Sequence, residues 1–150
     1  MNSFLNPGDK PAAAGAQSRT SHGREPAPGC GLVLVAEDDA QVRRGLVRFL
    51  SSRGHVAIEA ADGRSTAALA REWKPDIVLL DLAMPVKNGM EVLKELAPSL
   101  PGTGFIIVTG NEEEEIARAC LELGAYDYVP KPVDLEALDR SIKTRLRINR

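Results

Sequence analysis

From residue 31 onward the chain alternates five times between a short apolar run and a segment with helical spacing of apolar residues. Short continuous apolar runs are typical of strands that are buried on both faces. A buried strand followed by a helix, repeated in this way, favours an all-parallel sheet with helices on both faces. The pattern predicts strands at 32–36, 55–59, 77–80, 105–108 and 126–129.

Residues with capping and breaking propensity separate these strands and predict where the helices begin and end. Asp39 and Asp134 are expected to cap the first and last helices, and Asn111 to cap a helix over 112–123. Glycine and proline end helices because they favour a left-handed turn or remove a donor. The expected stop signals are Gly54, Pro75 and Gly124.

Residues 1–30 differ in composition, with four of the ten prolines and only scattered apolar side chains. Such a segment buries too little surface to offset its ordering entropy, so we expect a flexible N-terminal tail. The remaining residues, 31–150, have the size of one ordinary domain. We therefore expect a single-domain protein, with no effector domain following it in this sequence.

Composition excludes several classes of protein. A formal charge of −2 and an isoelectric point near 5.7 disfavour direct nucleic-acid binding. No apolar run approaches about 18 residues, and the N-terminus lacks a signal-peptide pattern, so we expect neither membrane insertion nor secretion. Cys30 and Cys120 lie far apart without metal-ligand spacing. These features predict a cytoplasmic location.

Charged and hydroxyl side chains follow the predicted strands directly, where an open parallel sheet binds its ligands. Clustered carboxylates repel unless a cation lies between them, and Mg²⁺ prefers oxygen ligands. A lysine and a hydroxyl beside such a site suit a phosphoryl group. Asp81 follows the central buried strand and is expected to accept the phosphoryl group as an aspartyl phosphate. The predicted site comprises Glu37, Asp38, Asp81, Thr109 and Lys131.

Each of these residues alone has a simpler interpretation. An aspartate at a strand end commonly caps a turn, and a lysine there is commonly solvated. The presence of all five at adjoining strand ends favours the functional interpretation for Asp81 and Lys131. Asp39 is interpreted as a helix cap, and Tyr128 alone would be an ordinary strand aromatic.

Four segments in order, LVLVAEDD, PDIVLLDLAMPVKNG, FIIVTG and GAYDYVPKP, resemble the signature segments of the response-regulator receiver domain. The resemblance covers about residues 32–150. It implies a flavodoxin-like, doubly wound α/β fold with three layers. Its five-stranded parallel sheet would have strand order 2-1-3-4-5 and five helices.

The resemblance also implies a role for each site residue. Asp81 would be the phosphoacceptor, and Lys131 would contact the phosphoryl group. Asp38, Asp81 and the backbone carbonyl of Ala83 would hold Mg²⁺, with Glu37 acting mainly through water. Thr109 and Tyr128 would form a switch pair.

The family resemblance further implies partners and a mechanism. A sensor histidine kinase or a histidine phosphotransfer protein would donate the phosphoryl group. The domain would catalyse its own phosphorylation and then hydrolyse the aspartyl phosphate slowly. Phosphorylation would alter the surface formed by the fourth helix, fifth strand and fifth helix, through which a homodimer could form.

The sequence departs modestly from the family pattern. The acidic pair is Glu37 and Asp38 rather than two aspartates, a common variant that leaves metal binding intact. Gly110 stands where alanine is frequent, and Ala83 has no side chain to orient or exclude an attacking water. The lifetime of the phosphorylated form is therefore open.

Three other functions are alternatives to a receiver domain. A phosphorylation-independent docking module of the same fold would be favoured by loss of an acidic residue or the lysine, and none is lost. A haloacid-dehalogenase-like phosphatase needs a second acid two residues after its nucleophile, whereas Ala83 follows Asp81 at that distance. A flavodoxin-like flavin protein needs a Ser/Thr-rich loop after the first strand, where this chain has acids.

Overall fold

In the described part of the chain, six parallel strands form one sheet that is covered by helices on both faces. The computed structural model describes residues 4–5, 25–110 and 113–148. In chain order the elements are β1 Phe4–Leu5, β2 Leu32–Ala36, α1 Ala40–Ser52, β3 Val56–Ala60, α2 Gly63–Trp73, β4 Ile77–Leu80, α3 Gly89–Leu96, β5 Gly104–Thr109, α4 Glu114–Glu122, β6 Asp127–Pro130 and α5 Leu135–Ile148.

The strand order across the sheet is β1-β3-β2-β4-β5-β6. Strands β2 to β6 are the five predicted from the sequence, and their order confirms the expected 2-1-3-4-5 arrangement. The additional strand β1 has two residues and pairs with the outer edge of β3, with Phe4 opposite Ala57 and Leu5 opposite Ile58. Residues 1–3 and 6–24 lie outside the described part of the chain, so the flexible tail stays a prediction.

The sheet separates two apolar layers because successive residues of a strand point to opposite faces. On one face, Leu32 and Leu34 of β2 pack with residues from α2, α3 and α4. On the other face, Val33 and Val35 pack with residues from α1 and α5. Burial of both faces explains why the central strands are continuous apolar runs rather than alternating ones. Among the described helices, none has the length and apolar character needed to cross a bilayer.

Most of the residues predicted to cap or end helices lie at helix ends in the structure. The Asp39 carboxylate accepts hydrogen bonds from the amides of Gln41 and Val42. The Asp134 carboxylate likewise accepts from the first amides of α5. Gly54 follows α1 with a φ of +92°, in the left-handed region that glycine adopts readily. Asp39 and Asp134 therefore begin α1 and α5 after β2 and β6, at the edge of the sheet where the acidic residues lie.

The start of α4 differs from the prediction. The helix begins at Glu114, with Glu113 at the N-cap and no side-chain capping bond, rather than at residue 112. The acidic side chains of Glu114 and Glu115 occupy the first turn, where the helix dipole favours negative charge. The predicted cap Asn111 and its neighbour Glu112 lie outside the described residues.

Candidate functional site

The structure brings the predicted strand-end residues together at the carboxyl edge of the sheet. Glu37 and Asp38 follow β2, Asp81 follows β4, Thr109 ends β5, and Lys131 follows β6. An open pocket of about 630 Å³ lies between them. Its lining residues are Glu37, Asp38, Asp39, Asp81, Leu82, Ala83, Thr109, Gly110 and Lys131.

Three carboxylates form a compact cluster in this pocket. One carboxylate oxygen from each of Glu37, Asp38 and Asp81 lies within 4.8 Å of the other two. Glu37 and Asp81 are only 2% and 4% exposed, whereas Asp38 is exposed. The donor set therefore consists of hard oxygen atoms on a site that is open to water on one side. Such a set suits Mg²⁺, which takes a few carboxylate ligands and keeps several waters.

Lys131 places a positive charge against the buried side of this cluster. Its Nζ donates a hydrogen bond to Glu37 Oε1 at 2.6 Å and lies 3.6 Å from Asp81 Oδ2. The Lys131 backbone amide bonds the Thr109 carbonyl at 2.9 Å, which fixes the start of the side chain at the sheet edge. The lysine therefore reaches the predicted phosphoacceptor from a position held by β5.

The buried charges perturb one another. Burial raises the pKa of Glu37 above its ordinary value, the Asp81 carboxylate adds to this, and the bonds from Lys131 and the Asp39 amide oppose it. Burial acts to lower the pKa of Lys131, but the hydrogen bond to Glu37 and the charge of Asp81 outweigh it. The net pKa of Lys131 lies above its ordinary value, so the ammonium stays charged at neutral pH.

The loop after Asp81 is held close to the strand end. The Ala83 amide lies 3.4 Å from Asp81 Oδ1, and the Gly89 amide donates to the Leu82 carbonyl at 2.9 Å. A Cβ atom on Gly89 would lie 2.3 Å from the Asp81 carbonyl oxygen, so only glycine fits this backbone approach. An Asn-Gly pair such as Asn88-Gly89 is typical of turns, but the close approach of Gly89 to the Asp81 backbone appears only in three dimensions.

Thr109 and Tyr128 lie on the same face of the sheet. Thr109 is 2% exposed at the end of β5. Tyr128 lies on β6 opposite Ile107, is half-buried, and packs against the apolar layer that includes α4. The two predicted switch residues therefore stand two positions apart along neighbouring strands, on the α4 side.

Arg43 and Glu59 were not identified from the sequence. Arg43 Nη1 donates a hydrogen bond to the Glu37 carbonyl oxygen at 2.7 Å, and Arg43 Nε donates to Glu59 Oε1 at 2.9 Å. Arg43 lies one helical turn after the Asp39 cap, and helical side chains lean toward the N-terminus of their helix. The four-residue spacing between Asp39 and Arg43 is the sequence feature that could have predicted a contact between Arg43 and the acidic pair.

Comparison with known proteins shows which family the chain is similar to. Residues 33–143 match the family model described as the response regulator receiver domain. Among curated proteins, the chain is 37% identical over 114 residues to Protein CcdB of Bacillus subtilis (strain 168), with 72% of this chain and 94% of that protein covered.

Other relatives are longer than this chain. The chain is 36% identical over 115 residues to the response regulator MprA of Mycolicibacterium vanbaalenii, covering 77% of this chain and 50% of that protein. It covers only 31% and 25% of two further curated relatives. Among solved structures, the Francisella response regulator 1452 receiver domain matches with a TM-score of 0.76 and 25% identity, over 80% of this chain and 99% of that chain.

Proposed function

The chain belongs to the response regulator receiver domain family, and on that premise we propose that Asp81 accepts a phosphoryl group from a phosphohistidine. The donor is a sensor histidine kinase or a histidine phosphotransfer protein. The observation that carries the proposal is the meeting of Glu37, Asp38, Asp81 and Lys131 in one pocket, with Lys131 Nζ 3.6 Å from Asp81 Oδ2.

The transfer needs no base from the protein, because a carboxylate is already a nucleophile. An Asp81 oxygen attacks phosphorus while the P–N bond of the phosphohistidine breaks. The electron pair of that bond stays on the imidazole nitrogen, which then takes up a proton from solvent. The product is an acyl phosphate on Asp81, and catalysis consists of positioning and charge neutralisation.

Each neighbour of Asp81 has a role in that neutralisation. Lys131 pairs with the phosphoryl oxygens, and the Thr109 hydroxyl donates a hydrogen bond to them. Asp38, Asp81 and the Ala83 carbonyl would hold Mg²⁺, and Glu37 would act mainly through water. When bound, Mg²⁺ would supply positive charge that offsets the negative charge of the phosphoryl group.

Hydrolysis returns the protein to its starting state. Water attacks phosphorus, the P–O bond to Asp81 breaks, and inorganic phosphate leaves while the carboxylate is regenerated. Ala83 is exposed on the pocket wall and places only a methyl group there, so it neither orients nor blocks that water. The position therefore provides no side-chain control over how long the acyl phosphate lasts.

Phosphorylation is proposed to alter the surface formed by α4, β6 and α5, here called the α4–β6–α5 face (Glu114–Glu122, Asp127–Pro130 and Leu135–Ile148). Thr109 moves toward the phosphoryl group and Tyr128 turns inward behind it. The altered face serves as the output surface and as the contact of a phosphorylation-dependent homodimer. We place this signalling role in the cytoplasm.

The proposal is tested by incubating the protein with acetyl phosphate and Mg²⁺ and measuring its intact mass. The wild type gains one phosphoryl group, and Asp81→Asn gains none because an amide is not a nucleophile at this site. Asp39→Asn is the matched control, because Asp39 lines the same pocket but caps α1, a role that asparagine retains. Labelling of Asp81→Asn, or loss of labelling in Asp39→Asn, would contradict the assignment.

A further inference from the structure

Arg43 holds the backbone of the acidic pair from the α1 side. Its Nη1 donates to the Glu37 carbonyl at 2.7 Å and lies 3.5 Å from the Asp38 carbonyl oxygen. Only 17% of the Arg43 side chain is exposed, so these bonds form with little competition from water. A single guanidinium therefore reaches both residues that precede the α1 cap.

Glu59 fixes the guanidinium in that position. The Arg43 Nε to Glu59 Oε1 distance is 2.9 Å, and the Glu59 side chain is 22% exposed. Glu59 lies on β3 opposite Val35, and the Glu37 amide bonds the carbonyl of the next β3 residue, Ala60, at 3.0 Å. Strand β3 thus holds the acidic segment twice, once through the backbone and once through Glu59 and Arg43.

We propose that Arg43, held by Glu59, is a positioning residue that sets the affinity of the Glu37 and Asp38 carboxylates for Mg²⁺. This inference rests on the proposed function of the same site. Fixing the backbone of Glu37 and Asp38 limits the directions in which their side chains leave the loop. A preorganised set of ligands binds a metal ion more tightly than one that must be ordered on binding.

The positioning role and the charge of Arg43 predict opposite effects on metal binding. A positive charge beside a cation site weakens binding, so its removal should tighten Mg²⁺ binding if charge alone matters. If Arg43 instead orders the ligands, its removal weakens binding. The sign of the change therefore separates the two explanations.

The test compares Arg43→Gln with Arg44→Gln. Both substitutions remove one positive charge from α1, but Arg44 is exposed and follows Arg43 directly. Mg²⁺ affinity is measured by NMR titration of the full chain. We expect the dissociation constant to rise roughly 10-fold in Arg43→Gln, the lower end of the roughly 10–100-fold loss found when outer-shell partners of metal ligands are removed. Arg44→Gln should stay within about 2-fold of the wild type.

Two further variants test whether Arg43 and Glu59 act together. The double substitution Arg43→Gln and Glu59→Gln leaves the net charge unchanged, yet should weaken binding about as much as Arg43→Gln alone, because the two residues act as one unit. Arg43→Lys keeps the charge but cannot bond a carbonyl and Glu59 with one planar fork, so it should recover the affinity only partly.

Metal-free protein gives a second readout. Amide hydrogen exchange at Asp39, whose N–H donates to Glu37 Oε2 at 3.1 Å, should be faster in Arg43→Gln than in Arg44→Gln. Urea unfolding verifies that each variant is folded under the titration conditions. If Arg43→Gln does not fold, Glu59→Gln is compared with the wild type by hydrogen exchange, because loss of the Glu59 charge would by itself weaken Mg²⁺ binding. Faster exchange at Asp39 is then expected.

The outcomes distinguish failure of this inference from failure of the proposed function. Unchanged or tighter Mg²⁺ binding by folded Arg43→Gln, or unchanged Asp39 amide exchange in Glu59→Gln where that variant replaces it, overturns the positioning role and leaves the proposed function standing. Absence of Mg²⁺ binding by the wild type overturns both.

Discussion

At the scale of single residues, the Asp81 backbone depends on the absence of a side chain at Gly89. A Cβ atom there would lie 2.3 Å from the Asp81 carbonyl oxygen and 2.7 Å from Leu82 Cα, and backbone atoms cannot give way as a flexible side chain can. We expect Gly89→Ala to lower the free energy of unfolding by about 1–3 kcal/mol, the usual cost of overpacking. Urea unfolding measures this change.

Gly110→Ala is the control for that prediction, because it introduces the same methyl group at a glycine that lines the pocket. A Cβ atom on Gly110 meets no atom within 4 Å, so the free energy of unfolding should change by less than about 0.5 kcal/mol. Equal stability of the two variants would show that the loop after Asp81 accommodates a side chain at residue 89.

The strand-end site residues could be predicted from the sequence because the carboxyl ends of parallel strands meet at one edge. Finding five apolar runs was therefore enough to place Glu37, Asp81 and Lys131 together. The Arg43 and Glu59 pair could not be predicted in the same way. An ion pair between a helix and a neighbouring strand depends on how the two pack, and it leaves no periodic pattern in the chain.

At the scale of elements, His55 joins β3 to the start of β2. Its Nδ1 accepts a hydrogen bond from the Gly31 amide at 3.1 Å, and the side chain is buried. Burial lowers the pKa of His55 below its ordinary value. The charged groups around it are Asp139 and Lys143 of α5, Asp76 before β4 and Arg53 after α1.

The lowered pKa of His55 predicts a loss of stability in mild acid. Above the unfolded-state pKa of about 6.5, His55 is neutral in both states and adds no pH dependence. As the pH falls from about 6.5 toward the lower folded-state value, the unfolded chain takes up the proton first. The free energy of unfolding should then decrease by at most about 1.4 kcal/mol per pH unit. Urea unfolding at a series of pH values measures it.

His55→Asn retains an acceptor for the Gly31 amide but cannot titrate, so it should flatten the pH dependence below about 6.5. His22, the other histidine, lies outside the described residues, and His22→Asn serves as the control that keeps the wild-type slope. A His55→Asn variant with an unaltered slope would show that another group titrates.

The bounds of an element are predicted most accurately where its own residues show a clear apolar pattern. The runs that form β2, β4 and β5 are apolar because both faces of these strands are buried, and they were found within a residue or two. Strand β1 has two residues, too few to show a period, and forms through pairing with β3. The start of α4 was placed two residues early because glutamates suit either side of a helix N-terminus.

At the scale of the whole molecule, strands β5 and β6 connect the pocket to the α4–β6–α5 face. Thr109 faces the pocket at the end of β5, while Tyr128 lies beside it on β6 and packs toward α4. Strands β5 and β6 are bonded in register from Ile106 to Thr109, so we expect a shift at the end of one strand to affect the other. A change at the pocket is therefore expected to alter the α4–β6–α5 face, and this coupling can be tested.

Beryllofluoride, a phosphoryl mimic, should change amide chemical shifts throughout residues 109–131 of the wild type in the presence of Mg²⁺. We expect the Thr109 hydroxyl to move and bond the new acceptor oxygens, which would vacate space for the Tyr128 ring to turn inward. Gly110, with no side chain, offers little resistance to that movement. Thr109→Ala should still bind beryllofluoride but show shifts only near Asp81, because the hydroxyl that couples the sites is gone.

Thr103→Ala provides the matched control for this last prediction. It removes a buried threonine hydroxyl just before β5, where Thr103 Oγ1 donates to the Pro75 carbonyl at 2.7 Å, at the opposite edge of the sheet from the pocket. Its loss should lower stability by about 1 kcal/mol yet leave the wild-type pattern of shifts intact. Lys131→Ala should bind the mimic more weakly and also fail to shift the face. A full wild-type pattern in Thr109→Ala would mean that the face responds to the phosphoryl group through some contact other than the Thr109 hydroxyl.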